Sequence, residues 1–183
     1  DIALLARYRD RPANMPEDVI AEAACEGAKA DGGAVYVMPA QLSETSSEDV
    51  PLFVMYGPQT SQLTEELTGG LDYNGDGYDD IVTGSYRWDR PGATNVGGVA
   101  FYAGRPSDPS GKTTVICEPD AWIRGNKKDD YMGLSLAAVG DLNSDGCDEV
   151  VVGAHLEDPS NQGAVRLFYG WGPNCALSSP HVA

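Results

Sequence analysis

Positive charge is scarce in this 183-residue sequence: 12 Lys and Arg stand against 28 Asp and Glu, a formal net charge of −16. A nucleic-acid surface needs clustered Lys and Arg to displace counterions, and an anionic membrane attracts the same residues, so neither is an expected partner. Long hydrophobic runs are missing too. None approaches the roughly 20 apolar residues of a membrane span, so no membrane insertion is expected. Histidine is limited to His155 and His181, and no C-x-x-C occurs among the four cysteines, so no zinc pattern is complete. Aromatics reach only 8%. What the chain has in quantity is Asp, 22 Gly and 12 Pro, the residues of tight turns.

The acids are concentrated in two stretches of one design. Asp72-Tyr-Asn-Gly-Asp-Gly-Tyr-Asp-Asp80 and Asp141-Leu-Asn-Ser-Asp-Gly-Cys-Asp-Glu149 both place oxygen-bearing side chains at positions 1, 3, 5 and 9. These are Asp72, Asn74, Asp76 and Asp80 in one, and Asp141, Asn143, Asp145 and Glu149 in the other. A hard cation wants such a set, completed by a backbone carbonyl at position 7, which is Tyr78 or Cys147. Gly77 and Gly146 at position 6 permit the sharp turn. Without a cation, carboxylates so close would repel strongly. Ca²⁺ is the expected occupant of both, because Mg²⁺ keeps its water shell.

The loops are not EF-hands, which carry a bidentate Glu at position 12 and run on into a helix. Position 12 here is Thr83 or Val152. The loops lead instead into Ile81-Val-Thr-Gly84 and Val150-Val-Val-Gly153, β-branched runs that predict short buried strands. A second apolar run comes after each: Gly97-Gly-Val-Ala-Phe-Tyr102 and Gln162-Gly-Ala-Val-Arg-Leu167, with Gly32-Gly-Ala-Val-Tyr-Val37 in phase before them. Gly33, Gly98 and Gly163 are spaced evenly along the chain. Val50–Tyr56 and either Val115–Cys117 or Ala121–Ile123 supply further strands, about four per unit. The expected units are 1–60, 61–125 and 126–183.

The run from Met132 through Asp141, Asp145 and Glu149 to Ala154, with Gly163-Ala-Val165 after it, resembles an FG-GAP repeat. This is the unit of the integrin α-chain β-propeller and of many secreted bacterial and fungal propellers. The resemblance implies an all-β fold of four-stranded antiparallel blades, with calcium on the hairpin between each blade's first two strands. It covers essentially the whole chain. Departures are Met132-Gly133 in place of Phe-Gly, Leu5 where the other units have Gly84 and Gly153, and Glu149 in place of the usual Asp.

Asp1-Ile2 aligns with Asp80-Ile81 and Glu149-Val150, so Asp1 stands at position 9 of a third, partial ligand set. About three repeats also fall short of the four to eight blades of a closed propeller. The chain is therefore expected to be a fragment, a processed product or one partner of an assembly, completed by another chain or by sequence beyond it. Met15–Gly27 interrupts the first unit, and Pro16, its early acids and Gly27 predict a short helix. Cys25, Cys117, Cys147 and Cys175 fit an oxidising compartment, with three pairings open. Cys147 owes its loop only a carbonyl, so its thiol is free to pair outward.

Nothing composes a catalytic centre. Ser85 and Ser135 lack a nucleophile-elbow context, and the acids a hydrolase would use are committed to the loops. The expectation is an extracellular or cell-surface calcium-binding propeller portion, not an enzyme, that binds a protein or glycan ligand in adhesion or serves structural assembly. Alternatives are a lectin-like propeller with Trp88 or Trp122 stacked on sugar rings, and a non-catalytic domain of a larger secreted enzyme. Arg9, Arg11, Tyr86, Arg87, Trp88 and Arg90 share equivalent loops and suggest a basic-aromatic patch.

Overall fold

The computed structural model describes residues 2–6, 34–39, 51–56, 65–157 and 162–175. Every helix or strand among them is a strand: β1 Ile2–Ala6, β2 Ala34–Met38, β3 Phe53–Tyr56, β4 Glu66–Leu71, β5 Asp80–Gly84, β6 Gly98–Tyr102, β7 Thr114–Ile116, β8 Ala121–Arg124, β9 Met132–Gly140, β10 Glu149–Ala154 and β11 Ala164–Phe168. The all-β expectation holds. Asp1 and the helix expected within Met15–Gly27 lie outside the described residues.

The β-branched runs after the acidic loops form β5 and β10, each the second strand of its sheet. One sheet has the order β4-β5-β6-β8, antiparallel throughout, and is a complete four-stranded blade. A second runs β11-β10-β9, also antiparallel. The third is β1-β2-β3-β7, in which β7 lies parallel to β3. Of the two candidates for the second repeat's outer strand, Ala121–Arg124 takes that place. The Thr114–Ile116 stretch leaves instead to extend the first sheet. A parallel partner needs a long crossover rather than a tight turn, and the chain between β3 and β7 supplies it.

The chain forms two compact units, one of Asp1–Thr64 and Pro106–Glu118, the other of Glu65–Arg105 and Pro119–Ala183. In the first, Ala34, Tyr36, Met38 and Val54 make a buried cluster, and Thr113 Oγ1 donates to the Pro51 carbonyl at 2.7 Å beside β7. In the second, the two acidic-loop sheets pack face to face. Leu71, Tyr73, Val82, Val99 and Phe101 of one meet Met132, Val150, Val152, Ala154 and Phe168 of the other. Tyr73, Phe101 and Trp171 cluster with centroids 5.1–5.3 Å apart, Phe101 lying edge-on to the other two. The backbones approach closely where β5 ends: a Cβ on Gly84 would stand 2.2 Å from the Gly133 carbonyl oxygen.

Strand register makes the two sheets comparable residue by residue. Gly84 faces Glu66 and Val99, while Gly153 faces Ser135 and Val165. Val165 is therefore the counterpart of Val99, and Leu142 that of Tyr73 at loop position 2. Val99 and Tyr73 are 0% and 4% exposed beneath the following sheet, whereas Val165 and Leu142 are 75% and 60% exposed. Among the described residues, nothing covers the face of the second sheet that corresponds to the one on which the first carries its neighbour. Exposed apolar faces drive association. Sedimentation velocity is expected to show concentration-dependent self-association that Val165→Glu reduces; equal sedimentation of the two at all concentrations would contradict it.

Candidate metal centre

Each acidic loop is wrapped by its own backbone N–H groups. In the first, the Asp76 N–H donates to Asp72 Oδ1 at 3.0 Å and Asn74 Oδ1 at 2.9 Å. The Gly77 N–H donates to Asp72 Oδ2 at 2.8 Å, and the Tyr78 N–H to Asp76 Oδ1 at 2.9 Å. The second loop repeats the pattern. The Asp145 N–H donates to Asp141 Oδ1 and Asn143 Oδ1 at 3.1 and 2.9 Å, the Gly146 N–H to Asp141 Oδ2 at 3.0 Å, and the Cys147 N–H to Asp145 Oδ1 at 2.9 Å. Asn74 Nδ2 and Asn143 Nδ2 donate to the position 5 carboxylates at 2.9 and 3.0 Å. The turn requires left-handed backbone at positions 4 and 6: Gly75 and Gly77 in one loop, Ser144 (φ 60°) and Gly146 (φ 90°) in the other.

Position 9 separates the loops. Asp80, fully buried, uses both oxygens: Oδ2 accepts the Tyr73 N–H at 2.9 Å and Oδ1 the Gly104 N–H at 2.7 Å. Burial, reinforced by Asp76 and Asp72, pushes its carboxyl up to about 6 against those two hydrogen bonds. Tyr73 is pushed up as well, by burial and then by Asp80. Glu149 is also fully buried, and accepts the Leu142 N–H on Oε2 at 2.6 Å. Its extra methylene leaves Oε1 buried without a hydrogen-bond partner. Burial, then Asp145 and Asp141, raise its carboxyl above the usual range.

An orphaned buried carboxylate oxygen is costly unless something positive meets it. Asp141, Asp145 and Glu149 each bring a ligand atom to within 4.8 Å of the other two. Among the described residues, no second group of three acids is drawn so close. Three carboxylates with a free buried oxygen, on an all-oxygen donor set, fit a hard divalent cation. The first loop has the same fold with more solvent, Asp76 and Tyr78 being exposed.

Several participants were not foreseen from the sequence. Gly104 donates to the position 9 carboxylate of the first loop; it ends a run that begins in the third strand, Phe101-Tyr-Ala-Gly104, which Phe168-Tyr-Gly170 echoes in the second sheet. That recurrence was the available signal. Trp171 and Cys175 lie against the first loop, with the Trp171 N–H on the Tyr73 carbonyl at 2.8 Å. Of the three open pairings, the structure joins Cys147 to Cys175, Cα atoms 5.6 Å apart. Cys117 is also disulfide-bonded.

A family model of the FG-GAP repeat matches residues 65–102 and 132–168, each span running from the first strand of a sheet through its acidic loop to the third. The chain carries FG-GAP repeats. Integrin alpha-IIb of Mus musculus is 31% identical over 141 residues, 71% of this chain and 13% of that protein. Integrin alpha-PS2 of Drosophila melanogaster is 32% identical over 134 residues, 70% of this chain and 9% of that protein. Integrin alpha pat-2 of Caenorhabditis briggsae is 33% identical over 111 residues, 54% and 8% respectively. The chain thus spans only about a tenth of the length of these relatives. These FG-GAP repeats make an integrin-like β-propeller module, its described blades short of a closed ring.

The disulfide ties position 7 of the second loop to the segment after β11, a sequence separation of 28. A closure of that size constrains the unfolded chain by about 3.5 kcal/mol. Replacing Cys147 and Cys175 together by Ser is expected to lower the unfolding free energy by about that amount, measured by urea denaturation.

Proposed function

We propose that the chain is an extracellular, calcium-stabilised portion of an FG-GAP propeller, non-catalytic, that serves binding of adhesion type or structural assembly through three repeats near 1–60, 61–125 and 126–183. The observation that carries the calcium reading is the buried Glu149 Oε1, partnerless beside Asp141 and Asp145. In the second loop Asp141, Asn143, Asp145, the Cys147 carbonyl and Glu149 would hold the ion; in the first, Asp72, Asn74, Asp76, the Tyr78 carbonyl and Asp80. A third set would end at Asp1. Bound Ca²⁺ removes the repulsion between carboxylates and so fixes each hairpin. The Cys147–Cys175 disulfide supports an oxidising compartment.

Leu142 and Val165 support a further blade as the partner of the last sheet, from another chain or from sequence beyond this one, since their counterparts Tyr73 and Val99 are buried by such a blade. The ligand surface lies at the far end of the blades from the acidic loops, where residues 85–97 meet residues 125–131. There Asn95 Nδ2 donates to Asp129 Oδ1 at 2.9 Å, and Asn95, Asp129 and Tyr131 all adopt positive φ. Strained non-glycine backbone of this kind persists where the surroundings hold it, often at binding sites. Arg87 stacks over Tyr86 at 5.1 Å. Arg90 is engaged with the Asn126 carbonyl, and Arg9 and Arg11 lie outside the described residues.

A carbohydrate ligand is the second reading, and Trp122 favours it. Trp88 is only 1% exposed and no platform for a sugar, its site being filled by packing on Gly98 and Arg124. Trp122 is 50% exposed on β8, with the Arg124 guanidinium 4.0 Å from its ring centre. Glycan-array binding lost in Trp122→Ala and kept in Arg87→Ala would favour this ligand class; no glycan bound by the parent chain would remove it.

At free Ca²⁺ of about 100 Kd each site adds roughly 2.7 kcal/mol to stability. Excess chelator is therefore expected to lower the melting temperature by several degrees, with Asp76→Ala and Asp145→Ala each abolishing part of the difference. Melting unchanged by chelator would overturn the calcium reading.

A further inference from the structure

Asp148 holds position 8 of its loop, between the position 7 carbonyl and the position 9 carboxylate, and is not among the proposed ligands. Its groups are used on the neighbouring loop. Asp148 Oδ2 accepts the Asp72 N–H at 2.8 Å, and the Asp148 N–H donates to the Asp72 carbonyl at 2.8 Å. One residue of the second loop thus grips both backbone polar groups of the first ligand residue of the other.

A second connection runs beside it. The Trp171 N–H donates to the Tyr73 carbonyl at 2.8 Å, and Cys175 Sγ lies 3.9 Å from the same oxygen. Cys175 is bonded to Cys147, which sits next to Asp148 at position 7. The fit leaves no slack: a Cβ on Gly172 would stand 2.3 Å from the Asn74 carbonyl oxygen, and one on Gly75 would stand 2.9 Å from Cys147 Sγ. Residues 170–175 are laid on the first loop and bolted to the second.

We propose that the two loops bind divalent cations cooperatively, with Asp148 as the positioning residue that conveys the state of one loop to the other. This rests on the calcium reading above. When the second loop is empty, Asp141, Asp145 and Glu149 repel one another and the turn at positions 7–9 relaxes, carrying Asp148 with it. Asp72 then loses the grip that sets its backbone, and the first loop must order itself unaided. Occupancy of the second loop supplies that order in advance, and by reciprocity occupancy of the first favours the second. A clamp that served stability alone would leave the two sites independent.

Calorimetric titration of the full chain with Ca²⁺ decides between them. The wild type is expected to bind two ions in the described loops with a Hill coefficient above one. Asp148→Ala, which removes no proposed ligand, should still bind two, with a Hill coefficient of one and about tenfold weaker half-saturation. Asp148→Asn, whose amide oxygen can still accept the Asp72 N–H, should restore cooperativity. Asp145→Ala should weaken the remaining site by a similar factor. A Hill coefficient of one in the wild type, or one unchanged in Asp148→Ala, would overturn the coupling while leaving calcium binding intact. A wild type that binds no Ca²⁺ overturns both.

Discussion

Everything in the unit that carries the acidic loops depends on holding like charges together in nine-residue turns. Three carboxylates cannot share a few ångströms without compensation, and the chain supplies it in layers. Backbone N–H groups of positions 5, 6 and 7 turn inward on the side-chain oxygens of positions 1, 3 and 5. The position 9 carboxylate is drawn in from behind by the N–H of position 2 in both loops, and in the first also by the Gly104 N–H beyond the third strand. This last contact makes the loop a part of the sheet rather than an ornament on it. In the complete blade the first, second and third strands meet at one buried acid, Asp80.

The same contacts decide how blades adhere. Position 2 of the first loop sends Tyr73 down between the sheets, where it meets Phe101 and Trp171. Loop order and core packing are therefore one event: displacing the acidic turn moves a buried aromatic. Burying rings of this size contributes on the order of 2 kcal/mol each. In the second loop the same position is Leu142, which is exposed.

Much of this was legible in the residues. The D-x-N-x-D-G spacing located both acidic loops, and the β-branched runs after them located β5 and β10, because local chemistry alone dictates those choices. The substitution of Glu149 for Asp was visible, but its effect was not. Whether one methylene frees an oxygen depends on where Leu142 and Gly170 stand in space. The outer strand of the complete blade was ambiguous for a similar reason: Thr114–Ile116 and Ala121–Arg124 are both apolar and short, and only tertiary pairing separates them. Trp88 read as a surface aromatic because its loop is polar; Gly98, by lacking a side chain, opens the space that buries it. The grip of Asp148 on Asp72 spans 76 residues and leaves no trace in local pattern.

The excursion of β7 has a consequence for how the chain is made. Thr114–Ile116 lies in sequence between two strands of the complete blade, yet it completes the sheet of β1, β2 and β3. The polypeptide crosses from one compact unit to the other three times. During synthesis, the sheet begun by β1 cannot gain its last strand until β4, β5 and β6 have left the ribosome. The later-encoded hairpins therefore have the chance to pair before the earlier sheet is finished. Folding from the amino-terminal side onward, the usual order for successive domains, is not open to this topology. Nor can a single backbone cut separate the two units, since each contributes two stretches of chain.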